Sequence, residues 1–390
     1  MIKKKLGNKL KITTAIIIIL FFILEGFSSN LYYHKNRTMA HSMSSTVESI
    51  NWFMSRLFLA NRTTKYDRFN ELKDEDKDAY PSYSYNPSLH HPSDPYYLSN
   101  VPNSHIVFCR ESNNLIEFES DEVGFRNPKD QLGNQIDVTI LGDSFAEGAC
   151  ESEENTFAGV FRNNGKKIFN LGRGDSGPLF QLATLVEYGE IVDSDVVLWV
   201  IFTGNDLQNL RQEKTTKLSN YLDIEFSQNF ANKTIQTKDG LADFLKHEFK
   251  LEEMRRQKDL RKPLYKNISQ EIDSIEFIYK ESRLLLQVAQ RIHNTTKDNG
   301  SRLAIVLINH PRYPNTSNQD AMSKLISDFS LVNNIPLIEF TRVFLNNEPN
   351  LYTKRGPHFN ANGYKRIGSI IDKWMDAELF VNETVTLEDD

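Results

Sequence analysis

Five short apolar runs alternate with amphipathic stretches through the middle and C-terminal parts of the chain. The apolar runs are rich in Val, Ile and Leu and predict strands at 136–141, 167–171, 196–203, 302–309 and 335–339. Apolar residues at helical spacing predict helices at 154–164, 178–190, 272–294, 318–333 and 361–379. Near-continuous apolar strands separated by helices are typical of a parallel sheet that is buried on both faces. The pattern therefore predicts an α/β fold, a three-layer doubly wound sheet of five parallel strands, with ligands at the carboxyl ends of the strands.

A different apolar pattern occupies the N-terminus. Residues 1–11 hold five lysines and no acidic residue, and they precede an apolar run at 12–24. A basic segment in front of an apolar one predicts a cytoplasmic N-terminus and translocation of the chain beyond the apolar run. Because the run is shorter than the roughly 20 residues of a spanning helix, two interpretations stay open. The favoured one is an uncleaved single-pass anchor over 12–28, which contacts the membrane, and the alternative is a signal sequence that is removed from a secreted protein.

The chain divides into segments of different composition. We predict a basic cytoplasmic tail at 1–11, the transmembrane anchor or signal sequence at 12–28, a membrane-proximal helix and extended strap at 29–104, a main domain at 105–380, and an acidic tail at 381–390. Two short strands, at 106–108 and 115–118, open the main domain. A polar, helix-prone insertion at 207–270 interrupts it. The insertion is interpreted as a solvated helical excursion, with a lid over the site as the alternative.

Composition and charge exclude several classes of protein. The 390 residues carry a net charge of −6, so no basic surface for nucleic acid is expected. Charged residues make up 25% of the chain, which excludes a membrane protein with many spans. No set of Cys, His and acidic residues has the spacing of a zinc site, and the pair His90–His91 lies in a polar stretch typical of a solvated loop. We therefore expect neither a metal nor another cofactor.

The chain has two cysteines, Cys109 and Cys150. In an exported protein two thiols often pair, whereas two small buried apolar side chains are the other interpretation. The sequence leaves both open.

Polar blocks follow the first three predicted strands of the main sheet, and a fourth lies near the C-terminus. Ser144 follows the first strand within Gly-Asp-Ser, a glycine-rich block containing Gly174 follows the second, and Asn205 follows the third within Gly-Asn-Asp. His358 begins the C-terminal block His-Phe-Asn. A serine and a histidine can perform acyl transfer from esters. An asparagine amide and backbone N–H groups can stabilise the oxyanion that forms.

In order and spacing, these four blocks resemble the SGNH or GDSL hydrolase superfamily, over about residues 136–379. The resemblance implies a flavodoxin-like SGNH hydrolase fold with Ser144 as nucleophile, Asn205 as side-chain oxyanion donor and His358 as general base. It also implies a backbone oxyanion donor in the glycine block, which we assign to Gly174, although Asp175 aligns with the glycine that is usual there. The stretches 101–104, 109–111 and 120–128 resemble the lead-in of membrane-anchored bacterial members, which are commonly linked to cell-surface polysaccharide.

The sequence departs from the family at the acid of the triad. The family usually has an aspartate three residues before the histidine, where this chain has Arg355. A backbone carbonyl could orient His358, a distant acid could do so, or the enzyme could be slow.

The resulting functional hypothesis is an extracytoplasmic serine esterase that acts on acyl esters, with acetyl esters of a cell-envelope polysaccharide as the expected substrate. Another small ester is also compatible with the site. A polysaccharide O-acetyltransferase that uses the same Ser144 and His358 is one alternative. A catalytically silent glycan-binding or assembly protein is another, suggested by the absent aspartate. After the fourth strand, His310 and Arg312 could line the pocket or pack at its rim.

Overall fold

A computed structural model describes the chain at 65–75, 78–82, 96–111, 114–230, 238–245, 275–311, 316–348, 350–354 and 356–380. All of these residues belong to one compact unit that begins at Thr64. Outside the described residues lie the predicted basic tail, the anchor or signal sequence, the helix near the membrane at 39–61, the pair His90–His91 and the acidic tail. No helix in the described ranges has both the length and the apolarity needed to cross a membrane.

The elements of the described residues follow the predicted alternation. The strands are β1 (Ala79–Pro81), β2 (His105–Cys109), β3 (Ile116–Glu119), β4 (Ile136–Gly142), β5 (Ile168–Asn170), β6 (Ser194–Phe202), β7 (Arg302–Ile308) and β8 (Leu337–Phe340). The helices are α1 (Lys65–Asp74), α2 (Ser144–Glu147), α3 (Phe157–Asn163), α4 (Pro178–Tyr188), α5 (Asp206–Glu213), α6 (238–245), α7 (Ile275–Asp298), α8 (Thr316–Val332), α9 (Arg342–Asn347) and α10 (Ala361–Glu378). Short 3₁₀ turns occur at Glu153–Asn155 and Lys217–Leu222. The predicted strands and helices of the main sheet are confirmed, with ends shifted by a few residues.

The main sheet has five parallel strands in the order β5-β4-β6-β7-β8. This confirms the predicted α/β fold with a five-stranded parallel sheet. The chain enters at β4, moves to the edge strand β5, and then crosses back over β4 to β6. The strand order reverses there, which is the point where such sheets place their ligand sites.

Two apolar cores, one on each face of the sheet, account for the three layers. In β7, Leu303, Ile305 and Leu307 belong to one core, and Ala304 and Val306 belong to the other. This alternation follows from the two-residue period of a strand. Helices α4, α7 and α8 cover the first core, and helices α3 and α10 cover the second. Since both faces are covered, the strands carry apolar residues at nearly every position.

A second, smaller sheet precedes the main one in the chain. β1 pairs with β2 in parallel, and β2 pairs with β3 in antiparallel register. The strand β1 and the helix α1 give regular structure to parts of 29–104, the segment expected to hold a membrane-proximal helix and an extended strap. At the end of β2, Cys109 forms a disulfide with Cys150. The structure therefore answers the question that the two cysteines left open.

From its start to Phe230, the insertion packs against the domain and is not a solvated excursion. Leu210, Leu218 and Tyr221 are buried in the first apolar core. The carboxylate of Glu187 on α4 accepts hydrogen bonds from the Tyr221 hydroxyl at 2.7 Å and from the Phe230 N–H at 2.8 Å. The buried acid needs several donors, and this segment supplies them. The segment 206–230 therefore packs against the domain through these buried side chains.

Candidate active site

Ser144 is placed at the end of β4 by a tight turn from strand to helix. The strand ends at Gly142, and Ser144 is the first residue of α2. The turn requires glycine at position 142, because a Cβ there would lie 2.4 Å from the carbonyl oxygen of Val200 on the neighbouring strand. Asp143 caps α2, since its carboxylate accepts a hydrogen bond of 2.9 Å from the Phe145 N–H. The Ser144 hydroxyl is thereby held at the carboxyl edge of the sheet.

His358 reaches Ser144 from the loop before α10. Its Nε2 atom lies 2.8 Å from the Ser144 Oγ atom, across 214 positions of sequence. The Thr353 N–H donates to the carbonyl oxygen of His358 at 2.9 Å, and Nε2 of His310 donates to the carbonyl oxygen of Pro357 at 2.8 Å. The structure thus brings together the serine and the histidine that the sequence singled out. The histidine loop is held by a hydrogen bond within itself and by another from His310 after β7.

A carboxylate that the sequence analysis did not assign completes this arrangement. Glu111 follows β2, and its Oε1 atom lies 2.7 Å from Nδ1 of His358. Its Oε2 atom accepts hydrogen bonds from the Thr353 hydroxyl at 2.9 Å and from the His358 N–H at 3.4 Å. His358 therefore has a carboxylate at one ring nitrogen and a serine hydroxyl at the other, as in a Ser-His-acid triad. Of the two groups that could orient His358, a backbone carbonyl or a distant acid, the structure shows the distant acid.

The surroundings of Glu111 favour its ionised form. Burial raises the pKa of the carboxyl, but the hydrogen bond from His358, the charge of that imidazole and the Thr353 hydroxyl together lower it further than burial raises it. The pKa therefore lies below the ordinary value of 4.5. An ionised Glu111 accepts a hydrogen bond from the Nδ1–H of His358, and this tautomer directs the Nε2 lone pair at Ser144.

Position 356 must be glycine for Glu111 to reach His358. A Cβ built on Gly356 would lie 1.8 Å from the carboxyl carbon of Glu111 and 2.0 and 2.1 Å from its oxygens. The missing side chain leaves the space that the carboxylate fills. Arg355, which stands where the family usually has aspartate, lies outside the described residues.

Two groups at the carboxyl edge are free to donate to an oxyanion. The N–H of Ser144 is at the first position of α2, where a helix offers no acceptor of its own. Asn205 directly precedes α5, and its side-chain amide makes no hydrogen bond to the described part of the chain, although its Oδ1 atom is buried.

Gly174 is placed differently from the prediction. Its N–H donates to the Oε2 atom of Glu147 at 2.5 Å, so this N–H is not available to an oxyanion in the structure. The reason is that Glu147 is buried, pairs with Arg173 at 2.5 Å and needs a donor for its second oxygen. The next residue, Asp175, has a φ of 60°, in the left-handed region that favours glycine. The Asp175 N–H forms no hydrogen bond within the described residues. In the sequence resemblance, Asp175 is also the residue that aligns with the usual glycine.

Two further acids near Ser144 are structural. Burial raises the pKa of Asp143, and burial together with repulsion from Asp143 raises the pKa of Asp206. Asp143 caps α2, and Asp206 accepts a hydrogen bond of 3.0 Å from the Phe202 N–H. Neither contacts a ring nitrogen of His358, so Glu111 is the carboxylate that can support the imidazolium.

His310, which was expected to line the pocket or pack at its rim, is fully buried. Its ring lies 4.4 Å from that of Tyr352 and 5.7 Å from that of Phe202, measured between centroids. Arg312, the other residue expected near the pocket, lies outside the described residues.

One group of possible metal ligands occurs among the described residues. Atoms of Glu111, Cys150 and His358 lie within 4.8 Å of one another. The Cys150 sulfur is bonded to Cys109, and metals bind the thiolate form of cysteine. Both ring nitrogens of His358 already have hydrogen-bond partners. This donor set does not fit a metal ion.

Comparison with known proteins gives matches in structure only. No family model matches the sequence, and no curated protein matches it. A lipolytic protein of the G-D-S-L family from Desulfitobacterium hafniense is 14% identical, over 61% of this chain and 98% of its own, with a TM-score of 0.37. A lipase/acylhydrolase from Enterococcus faecalis is 14% identical, over 62% and 96%, with a TM-score of 0.36.

An acetyl xylan esterase is 12% identical, over 61% of this chain and 98% of its own, with a TM-score of 0.36. These similar structures are GDSL-type hydrolases and esterases, the class that the sequence resemblance names. Because the TM-scores lie below 0.5, we base the functional proposal on the site's own geometry and on the sequence blocks.

The sequence holds one indication of Glu111, in the spacing of the cysteines. Glu111 lies two residues after Cys109, and Cys150 lies six residues after Ser144. A disulfide between these cysteines brings Glu111 close to Ser144, so the assumption of pairing would have pointed to it.

Proposed function

We propose that this protein is a serine esterase that removes O-acyl groups, acetyl groups above all, from polysaccharide of the cell envelope. The observation that carries the proposal is the hydrogen-bonded line from Glu111 through His358 to Ser144, with separations of 2.7 and 2.8 Å. The four blocks that resemble the SGNH or GDSL superfamily support the same reaction class. The choice of a polysaccharide substrate is supported by the segments before β4 that resemble membrane-anchored members.

The geometry suits nucleophilic catalysis in two steps. As the Ser144 Oγ attacks the ester carbonyl, its proton passes to Nε2 of His358, and Glu111 stabilises the imidazolium through Nδ1. The C–O bond to the leaving alcohol then breaks, and His358 returns the proton to that alcohol. A water molecule next gives a proton to His358 and attacks the acyl group, which leaves as the acid while Ser144 regains its proton.

The negative oxygen of each tetrahedral intermediate requires preorganised donors. We assign the Ser144 N–H and the side-chain amide of Asn205 to this role. The Asp175 N–H takes the place that was first given to Gly174, because the Gly174 N–H is held by Glu147. An Asn205→Ala variant should lose about 10² to 10³ in kcat, as expected for one donor.

A catalytically silent binding protein was suggested by the absent aspartate. Because Glu111 supplies a carboxylate to His358, the missing aspartate no longer favours that alternative. Hydrolysis and acetyl transfer share the acyl-enzyme and differ in what resolves it. The rate of acyl transfer to a sugar hydroxyl, compared with release of the free acid, distinguishes them in the same assay.

The test is labelling of the full-length protein with a fluorophosphonate, followed by turnover of a panel of acetyl to octanoyl esters and acetylated glycans. The label is expected on Ser144, and Ser144→Ala is expected to lose both label and turnover. Glu111→Gln should lower kcat by about 10² to 10⁴. Glu119→Gln is the matched control, because this glutamate lies in the same hairpin with its side chain 59% exposed. Turnover that survives Ser144→Ala, or no turnover of any ester by the wild type, would refute the proposal.

We further propose that the catalytic domain works outside the cytoplasm. The lysine-rich start followed by an apolar run supports export, and a disulfide within the domain is typical of oxidising compartments. A C-terminal fusion to a reporter enzyme that is active only outside the cytoplasm should be active. The mass of the mature protein shows whether the N-terminal segment has been removed, and so distinguishes an uncleaved anchor from a cleaved signal sequence. Activity of a cytoplasm-only reporter at the same position would contradict this proposal.

A further inference from the structure

The disulfide joins the segment that carries the acid to the segment that carries the nucleophile. Cys109 is the last residue of β2 and lies two residues before Glu111. Cys150 follows α2, whose first residue is Ser144. The two Cα atoms of the disulfide are 5.1 Å apart. Since two residues of chain span at most about 7 Å, the bond restricts where the backbone of Glu111 can lie relative to Ser144.

Among the described residues, the hydrogen bonds of the Glu111 side chain all go to the histidine loop, to Thr353 and His358. Glu111 lies in the connection between β2 and β3, outside the five-stranded sheet. The pairing of β2 with β3 is also irregular near its end, with a register shift between Val107 and Cys109. The pairing ends at Cys109, opposite Ile116, so it does not extend to Glu111.

The other end of the bond is a fixed anchor. Arg126 is 4% exposed and donates to the carbonyl oxygens of Gly148 at 2.9 Å and Glu151 at 2.7 Å, on either side of Cys150. Its guanidinium also lies 5.1 Å from the centroid of the Phe118 ring on β3. Since the backbone around Cys150 is held in this way, the disulfide fixes the position of Cys109 relative to the turn after α2.

We propose that the Cys109–Cys150 disulfide is a positioning element for the catalytic acid, and that it sets the turnover rate by holding Glu111 against His358. This proposal rests on the proposed esterase function and extends it to the regulation of the same site. A dithiol reductant that transfers two electrons to the bond yields two thiols and its own cyclic disulfide. The hairpin that carries Glu111 is then joined to the turn after α2 only by noncovalent contacts, the packing of Phe108 and Phe118 around Ala149 and Cys150 and the contact of Arg126 with Phe118. Glu111 is therefore held less firmly, and it contacts Nδ1 of His358 for a smaller fraction of the time.

Reduction should change kcat rather than KM. The carboxylate stabilises the imidazolium, which forms in the transition state and not in the enzyme–substrate complex. We expect kcat of the reduced wild type to fall at least about tenfold, towards the value of Glu111→Gln, with KM changed less than about twofold.

The experiment compares oxidised and reduced forms of three full-length proteins with one acetyl ester. Since the chain has two cysteines, the effect of a dithiol on the wild type can arise only from this bond. Cys109→Ser/Cys150→Ser should have the low kcat of the reduced wild type and should not respond to the dithiol. Glu111→Gln is the decisive protein, because reduction should lower its kcat no further if the disulfide acts through Glu111.

Two outcomes would overturn the proposal. One is a reduced wild type that keeps its full kcat, and the other is a loss on reduction that is equally large in Glu111→Gln, which would assign the bond a general structural role. Near-UV circular dichroism of the reduced, previously folded wild type verifies the fold if the double variant does not fold.

A second readout needs no turnover. The Nδ1 proton of His358 should give a downfield NMR resonance that is present in the oxidised protein and absent in Glu111→Gln. Its loss on reduction supports the positioning role even if no ester is hydrolysed, and in that case only the esterase proposal fails. Its persistence on reduction contradicts the positioning role.

Discussion

At the scale of the residue, the site depends on a carboxylate that occupies the space beside a glycine. Gly356 has no Cβ, and the carboxylate of Glu111 occupies the volume that a Cβ would need. The acid that orients His358 therefore comes from a distant part of the chain, while the position beside the histidine only makes room for it.

The Gly356→Ala variant tests this relation. Its Cβ would lie 1.8 Å from the carboxyl carbon of Glu111, so the carboxylate must leave Nδ1 of His358. We expect kcat to fall by about 10² to 10⁴ with little change in KM. Combining it with Glu111→Gln should add no further loss, since both changes remove one contact. Gly133→Ala is the control for backbone strain away from the site, because a Cβ there has nothing within 4 Å although its φ is 81°. It should lose about 1–2 kcal/mol of stability and keep the wild-type kcat. Wild-type kcat in Gly356→Ala would show that Glu111 is not needed.

The lowered pKa of Glu111 predicts how its contribution to stability depends on pH. A carboxyl whose pKa is lower in the folded state stabilises the fold fully above its unfolded pKa of 4.5. That contribution is lost as the pH falls through the folded value. The difference in free energy of unfolding between wild type and Glu111→Gln should therefore be larger at about pH 6 than at about pH 3. Urea denaturation at several pH values measures it, with Glu190→Gln, at an exposed glutamate, as control. A difference that grows towards acid would contradict the assignment.

At the scale of the element, the loop before α10 is the part that must be rigid. It carries His358, and its backbone is held partly by an isolated antiparallel bridge within the loop, between Tyr352 and Phe359, and partly by a neighbouring element. The N–H of Thr353 binds the His358 carbonyl oxygen, and His310, after β7, donates to the Pro357 carbonyl oxygen. The end of a sheet strand thus fixes the loop next to the catalytic histidine.

His310→Phe separates ring packing from hydrogen bonding in this loop. The phenyl ring can keep the contacts with Phe202 and Tyr352, but it cannot donate to Pro357. A buried carbonyl without a partner costs about 1–3 kcal/mol, so the free energy of unfolding should fall by that amount. We expect kcat to fall about tenfold because His358 is held less firmly. His310→Gln, which retains a donor, should recover part of both losses. Equal behaviour of the two variants in denaturation and kinetics would argue against the hydrogen bond.

At the scale of the whole molecule, the small sheet and the main sheet form one unit because side chains connect them. The disulfide, the Arg126 contacts and Glu111 all run from the β1–β3 region to the turn after α2 or to the histidine loop. The active site therefore requires both sheets.

Reduction of the disulfide should lower the stability of this unit. The bond joins positions 41 residues apart, and closing a loop of that size stabilises a fold by about 2–4 kcal/mol. Urea unfolding followed by tryptophan fluorescence should show the loss on adding a dithiol to the wild type. Cys109→Ser/Cys150→Ser should show no response to the dithiol. A reduced wild type as stable as the oxidised one would contradict the prediction.

The main sheet could be predicted from the sequence because its causes are local. Strands such as β6 are apolar at nearly every position, and helices such as α10 repeat apolar residues at helical spacing. Both patterns reflect which faces are buried. The positions of Ser144, Asn205 and His358 at one edge follow from their places after strands of a parallel sheet or in a C-terminal loop.

The rest was decided by tertiary contacts between distant parts of the chain. Glu111 acquires its partner only when β2 is joined to the turn after α2, and nothing near it in sequence shows which histidine it will meet. The Gly174 N–H is taken by Glu147 because both are buried together. The segment up to Phe230 enters the core because Glu187 needs donors. Sequence patterns thus determined the elements and the order of the chemical groups, whereas burial and long-range hydrogen bonding determined which groups are paired.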